Sequence, residues 1–336
     1  MADFPPPPHP RDVFALEGAE AQETAFLDAL DRGRLHHAWL LTGPEGVGKA
    51  TFAYRAARRL LGAAPDRELG PLGSRPDDPV CRRIAARSHP DLLVLERATE
   101  DGKPRKVIPV DEARGLGEFF SKAPAQAAWR VAIIDAADDL NVNAANAILK
   151  TLEEPPERGV LLLVSHAPGR LLATIRSRCR RLAFTAPGED STAAFVAART
   201  GLSDEQSARL ARMAGGAPGL ALRLAAADAL TADQTAHEIL RDLPKLDEAA
   251  LLAISDSFRG AEGQARFNLL IERLTGQIHD MAASQALSGT GQGLDRWARA
   301  WERLSALPDQ TEGLNLDRAD AFWTAMRELR AAAHAT

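Results

Sequence analysis

One glycine-rich stretch constrains the fold more than any other part of the chain. Residues 38–50 read AWLLTGPEGVGKA, which is an apolar run, a glycine turn and the start of a helical pattern. The turn fits G-x-x-x-x-G-K-[S/T] at seven of its eight positions. Such a turn points backbone N–H groups at a phosphate chain, and its lysine adds a positive charge. The sequence therefore predicts a phosphate-binding loop (P-loop) between a strand and a helix.

The predicted nucleotide site lacks the hydroxyl that normally holds magnesium. The eighth motif position is Ala50, and Thr51 follows it, turned about 100° away around the helix. Lysine and loop N–H groups could still hold phosphate weakly, so binding of ATP or ADP stays open. A glycine turn without any phosphate role is the alternative, which the flanking strand and helix disfavour. The candidate nucleotide-binding residues are Gly43, Pro44, Glu45, Gly46, Val47, Gly48, Lys49, Ala50, Thr51 and Asp135.

A second absence concerns the group that would activate water. Residues 129–135 (WRVAIID) form an apolar run typical of a strand buried on both faces. We expect this strand beside the P-loop strand, with Asp135 holding magnesium through water. The next residue is Ala136, where many NTPases carry a glutamate base; Asp138 and Asp139 are expected to cap or flank the following helix. Because metal and base terms each supply ~10²–10⁴-fold, the site is predicted not to hydrolyse nucleotide.

Alternating strand and helix patterns define the domain organisation. Over residues 17–184 they predict an α/β domain with a parallel sheet, and after residue 188 the strand patterns cease. The predicted segments are a loose proline-rich arm (1–16), the α/β domain (17–185), a small helical domain (186–232) and a C-terminal helical domain (233–336). Residues 62–90 predict an insertion or long loop. Apolar stripes at helical spacing, such as Leu294, Trp297, Trp301 and Leu304, predict a bundle core, with a partner-binding groove as the alternative.

Charge and cysteine content exclude several classes of protein. The net charge of −5 argues against a surface that grips nucleic acid everywhere, although a local basic face remains possible. Cys81 and Cys179 can form neither a disulfide framework nor a four-ligand zinc site, which favours a reducing, cytoplasmic setting. No apolar run approaches 18 residues, so no membrane span is expected. Arg55, Arg58 and Arg59, on the helix after the loop, are expected to form a solvated face.

An arginine-rich segment precedes the last predicted strand. Residues 175–181 read IRSRCRR. An arginine here would lie at the edge of the domain and could reach phosphates bound by a neighbouring subunit. Spacing alone favours the simpler alternative, in which Arg178 pairs with a local carboxylate or is solvated.

Four stretches together resemble the delta-prime subunits of the bacterial DNA polymerase III clamp loader, a branch of the AAA+ superfamily. They are residues 36–43 (HHAWLLTG), the degenerate P-loop, residues 146–156 (NAILKTLEEPP) and residues 175–179 (IRSRC). The resemblance implies an AAA+ domain, a small helical lid and a C-terminal helical collar. It implies a non-hydrolysing scaffold in a ring with gamma/tau-type and delta-type subunits, which loads the sliding clamp on primed DNA.

The resemblance also assigns roles to single residues. It implies that Arg178, between Ser177 and Cys179, acts in trans as an arginine finger at an adjacent motor subunit's ATP site. Ser165 matches the sensor-one position, and Gly219 stands where hydrolysing subunits usually carry the sensor-two arginine.

The resemblance fails in one region and leaves two alternatives. Family members generally carry a four-cysteine zinc module between the P-loop helix and the next strand, whereas this region holds only Cys81, so no zinc is expected. An ATP-hydrolysing motor of the gamma/tau type and a stand-alone P-loop NTPase remain the competing readings.

Overall fold

A computed structural model describes residues 4–97, 99–100, 103–105, 107–260, 262–288 and 293–334. Its residues divide into two compact units, Phe4–Arg223 and a C-terminal unit that begins at Leu224. The domain boundaries at residues 185 and 232 stay a prediction. In the part of the chain just delimited, no helix combines the length and the apolar character needed to cross a membrane.

A five-stranded parallel sheet forms the centre of the first unit. Its strands are β1 (Ala38–Thr42), β2 (Leu92–Glu96), β5 (Arg130–Asp135), β6 (Gly159–Ser165) and β7 (Arg180–Ala183), in the order β2-β5-β6-β1-β7. A small antiparallel pair, β3 (Thr99–Glu100) and β4 (Lys103–Pro104), lies between β2 and β5 in sequence. The predicted parallel α/β domain is confirmed.

Nine α-helices begin in the first unit in the residues described. They are α1 (Glu20–Asp31), α2 (Lys49–Leu60), α3 (Pro79–Ala85), α4 (Val110–Ser121), α5 (Val142–Glu153), α6 (Ala173–Arg176), α7 (Glu189–Thr200), α8 (Asp204–Met213) and α9 (Pro218–Ala226). Helices α1 to α6 contribute to the two core clusters on either side of the sheet. Successive residues of β1 point to opposite faces, so Trp39 packs with Phe26 and Phe52 in one core cluster, and Leu40 packs in the other. A capping box of Ser203 and Gln206 starts α8. Pro109 holds the N-cap position of α4, and Asp111 lies in the first turn of that helix.

The second unit is entirely helical in the residues described. Its helices are α10 (Ala229–Arg241), α11 (Glu248–Asp256), α12 (Gly263–Ser288), α13 (Leu294–Gly313) and α14 (Arg318–His334). Phe267, Leu274 and Phe322 lie in its core. One predicted core residue is misplaced: Trp301 is 42% exposed, because Ala300 and Leu304 point inward from α13 instead.

The N-terminal arm is ordered against α2, which corrects two expectations. Arg58 donates from Nη1 to the Val13 carbonyl (2.9 Å), and its guanidinium lies 3.8 Å from the centre of the Phe14 ring. Arg55 pairs with Glu23 and donates to the Phe14 carbonyl. Both arginines are 0% exposed, so the predicted solvated face is wrong for these two residues, and the predicted loose arm is wrong for residues 9–16.

The segment over residues 62–90 is likewise folded. Helix α3 begins at Pro79, and Asp78 caps it by accepting the Val80 N–H at 2.8 Å. The other Asp78 carboxylate oxygen accepts the Ala64 N–H at 3.0 Å, which closes the loop. The side chain of Cys81 is buried, and its Sγ lies 3.4 Å from Ser74 Oγ. Side-chain carboxylates therefore organise this segment.

Candidate functional site

The predicted phosphate-binding loop follows β1 and leads into α2, as the sequence indicates. Gly48 takes a left-handed conformation (φ +91°) and α2 begins at Lys49. The Lys49 side chain turns back into its own loop, where its ammonium donates to the carbonyls of Gly43 (2.7 Å) and Pro44. Lys49 is 2% exposed, and burial lowers its pKa to about 8. The group that would bind phosphate is thus satisfied by the loop itself.

The start of α9 lies directly on this loop. The Gly219 N–H donates to the Gly46 carbonyl at 2.8 Å. A Cβ on Gly46 would lie 2.3 Å from the Leu220 nitrogen, so only glycine tolerates this approach. Arg223, one turn further along α9, pairs with Glu45 at 2.8 Å. These contacts place the helix over the loop.

Two further close approaches define what the site can accommodate. A Cβ on Gly48 would lie 2.4 Å from Leu16 of the N-terminal arm. A Cβ on Gly219 would lie 2.9 Å from the Gly46 carbonyl oxygen. An arginine at the sensor-two position therefore does not fit while α9 lies on the loop.

The strand order corrects the expected place of Asp135. The strand β6 lies between β5 and β1, and Thr42 at the end of β1 is in register with Ser165. Asp135 thus ends a strand that is separated from the P-loop strand by β6. Its neighbour in register on β2 is Glu96. Burial, and next the Glu96 carboxylate, raise the pKa of Asp135 to about 6. The side chains of Ala136, which follows Asp135, and of Thr51 in α2 are both buried.

Asp138 has a role that the sequence did not reveal. Its carboxylate accepts from the Ser165 hydroxyl at 2.9 Å and from the backbone N–H groups of His166 and Ala167. It therefore holds the turn after β6, whereas Asn141 caps α5. The expectation that Asp138 caps or flanks the next helix is wrong. No local pattern reports a contact between residues 27 positions apart.

The arginine-rich segment lies at the opposite end of the strands from the loop. Arg178 precedes the start of β7, whereas the loop follows the end of the parallel neighbour β1. The Arg178 guanidinium donates from Nη1 to the Thr174 carbonyl (3.0 Å) and pairs through Nη2 with Glu153 at 2.9 Å. Its side chain is 35% exposed. Arg178 is therefore not part of this chain's own nucleotide site.

The residues on either side of Arg178 hold the segment in place. The Ser177 hydroxyl donates to the same Thr174 carbonyl at 3.2 Å. Cys179 packs against the core cluster that contains Ile175, and burial raises the pKa of its thiol to about 12. Both side chains are therefore held by local contacts.

Within the described ranges, no group of three or more His, Cys, Asp or Glu side chains is placed to hold a metal ion. The two cysteines are free thiols. The buried Cys81 has a serine as its hydrogen-bond partner rather than a cluster of ligands.

A parallel sheet with the order β2-β5-β6-β1-β7, a P-loop after β1, an acid at the end of β5 and the helix α9 over the loop define a P-loop protein of the AAA+ type. A family model described as "DNA polymerase III, delta subunit" matches residues 18–188, which is more than half of the 336 residues. The chain belongs to this family.

Individual relatives match over part of their length. The chain is 40% identical to DNA polymerase III subunit delta' of Pseudomonas aeruginosa over 196 residues, 57% of each chain. It is 33% identical to subunit delta' of Escherichia coli over 222 residues, 66% of this chain and 64% of that relative. It is 29% identical to subunit tau of Bacillus subtilis over 288 residues, 83% of this chain and 45% of that relative. The match thus spans less than two thirds of both delta' relatives.

Proposed function

We propose that this chain is a delta-prime-type subunit of a DNA polymerase III clamp loader and does not itself hydrolyse ATP. The observation that carries the proposal is the Lys49 ammonium bonded to its own loop, beneath the contact of Gly219 with Gly46. A working P-loop needs this lysine and the loop N–H groups turned toward phosphates. Ala50 and Ala136 supply neither a magnesium ligand nor a base. The missing magnesium ligand and the missing base each oppose turnover independently.

The proposed partners follow from the family and its relatives. The chain assembles with gamma/tau-type and delta-type subunits, and the complex loads the sliding clamp on primed DNA. The C-terminal helical unit serves as the collar of the ring. The degenerate site retains at most weak affinity for ATP or ADP, and the proposed setting is cytoplasmic.

Arg178 acts in trans at a neighbouring subunit's ATP site. Its segment lies away from the chain's own loop, and the guanidinium is partly exposed. An exposed pair such as Arg178–Glu153 contributes only about 0–1 kcal/mol, so a phosphate can compete for the arginine at small cost. Ile175 and Cys179 fix the backbone on either side of it.

Reconstitution of the loader with Arg178→Ala tests the proposal. We expect the complex to assemble normally. Its ATP turnover should fall by the share of the one site that Arg178 faces, because an arginine finger raises the hydrolysis rate at its site about 10³–10⁵-fold. Arg176→Ala is the matched control, because Arg176 is exposed and its side chain donates to the Pro168 carbonyl. Full turnover by the Arg178→Ala complex would show that the trans role is wrong.

A gamma/tau-type motor is the second candidate. The similarity to the Bacillus subtilis tau subunit extends over 83% of this chain, further than the two delta' matches. Nucleotide turnover by the isolated chain separates the two readings.

A further inference from the structure

The carboxylate of Glu153 lies against the guanidinium of Arg178, at the end of α5. We propose that Glu153 is a positioning residue for the arginine finger, an inference that rests on the proposed role of Arg178 in trans. Glu153 Oε1 lies 2.9 Å from Arg178 Nη2, on the side of the guanidinium that Thr174 does not occupy. The two acceptors together fix the direction of a long, otherwise mobile side chain.

A shared core keeps the two segments in register. Ile148 and Leu152 of α5 lie in the same buried cluster as Ile175, and Cys179 packs against that cluster. The end of α5 is also tied to the start of β1, because His37 Nε2 donates to the Leu152 carbonyl at 3.2 Å. Glu153 follows Leu152 directly, so its backbone is held at a fixed place beside the arginine segment.

The geometry leaves the guanidinium able to bind phosphate. An arginine has five N–H donors. One of them is donated to the Thr174 carbonyl, and Nη2 pairs with the Glu153 carboxylate, so N–H donors remain for an incoming anion. A free arginine side chain loses rotamer entropy when it is fixed on binding. Holding Arg178 in one orientation before the neighbour docks reduces that loss.

The test compares two adjacent glutamates in the reconstituted loader. Glu153→Gln removes the charge that holds Arg178, and Glu154→Gln removes the same charge from the next residue, which is exposed. The Arg178→Ala complex defines the turnover that depends on the finger. We expect Glu153→Gln to lower the kcat of that finger-dependent part about two- to fivefold, with KM for ATP unchanged. Glu154→Gln should match the wild type.

Two further variants separate positioning from a general structural effect. Glu153→Asp keeps the charge but shortens the side chain, so its turnover should lie between wild type and Glu153→Gln. The double variant Glu153→Gln/Arg178→Ala should be no slower than Arg178→Ala alone, because Glu153 acts only through the arginine.

The outcomes are distinguishable. If Arg178→Ala lowers turnover while Glu153→Gln leaves it unchanged or raises it, the positioning role is wrong and the proposed function stands. An equal loss from Glu154→Gln, or an additive loss in the double variant, also overturns the positioning role. If Arg178→Ala has no effect, the proposed function and this inference fail together.

Discussion

Two arginine side chains are buried inside the first unit. Arg55 and Arg58 are 0% exposed, on the face of α2 that the N-terminal arm covers. Glu23 of α1 supplies the carboxylate for Arg55 and also accepts the Leu72 N–H at 3.1 Å. Burial, the largest effect, lowers the pKa of Arg58 to about 10. A buried charge of this kind is stable only while its partners stay in place.

Removing the Glu23 charge should therefore destabilise the chain strongly. Glu23→Gln leaves Arg55 buried without a carboxylate, and we expect the free energy of unfolding to fall by about 3–5 kcal/mol. Glu20→Gln, an exposed change in the same helix, should stay within about 0.5 kcal/mol of wild type. Urea unfolding measures both variants. Equal small effects from the two substitutions would mean that the buried pair contributes little.

Asp135 makes the free energy of unfolding depend on pH. Its pKa is raised from 3.8 to about 6 in the folded chain, so the folded state binds more protons than the unfolded state between these values. The contribution of Asp135 to stability is therefore complete below about pH 4 and is lost as the pH rises through 6. The ionised residue destabilises the fold at neutral pH.

Asp135→Asn should remove this pH dependence. We expect the variant to be more stable than wild type at pH 7.5 by roughly 2–3 kcal/mol, with the difference narrowing toward pH 4. Urea unfolding across this pH range provides the measurement. A difference that stays constant with pH would show that ionisation of Asp135 is not its cause.

At the scale of elements, the contact between α9 and the loop depends on two glycines. Gly219 has to approach the Gly46 carbonyl at hydrogen-bond distance, and a methyl group on Gly219 would lie 2.9 Å from that oxygen. Alanine elsewhere in a helix normally stabilises relative to glycine. A destabilising alanine here is thus a specific sign that α9 rests on the loop.

Gly219→Ala should loosen this contact. We expect amide exchange over residues 219–223 to accelerate about fivefold, which corresponds to the loss of about 1 kcal/mol from one hydrogen bond. Gly117→Ala in α4 is the control, since a Cβ there meets nothing within 4 Å, and it should stabilise by about 0.5–1 kcal/mol. Unchanged exchange in Gly219→Ala would contradict the closed arrangement.

The sequence predicted the individual strands and helices better than it predicted which of them pack side by side. A near-continuous apolar run identified β5, and the glycine turn identified the loop, because these signals are local. The insertion of β6 between β5 and β1 depends on how distant strands pair, so the predicted neighbour of the P-loop strand was wrong. The burial of Arg55 and Arg58 was missed for the same reason, since their partners lie in the arm and in α1.

The candidate site was predictable in its outline but not in its contacts. The absence of a hydroxyl at Ala50 and of a base at Ala136 is visible in the sequence. The return of Lys49 to its own loop and the pairing of Ser165 with Asp138 are not, because they depend on tertiary geometry. The local pairing of Arg178 that spacing favoured is present with Glu153, and the role in trans stays a prediction.

In the first unit as a whole, the two ends of the parallel strands have different proposed tasks. At the carboxyl end, the loop that follows β1 is covered by α9 and the arm. At the amino end, the segment before β7 carries Arg178 and is fixed by buried neighbours. A subunit organised in this way contributes to a neighbour's reaction while its own loop stays inactive.

ATP hydrolysis by the purified chain, measured as phosphate release with and without Lys49→Ala, tests this account most directly. We expect no release above the buffer rate for either protein. A loader reconstituted with Lys49→Ala should keep its ATP turnover, whereas one with Arg178→Ala should lose the part that depends on the arginine. Phosphate release by the isolated chain that disappears in Lys49→Ala would contradict this account.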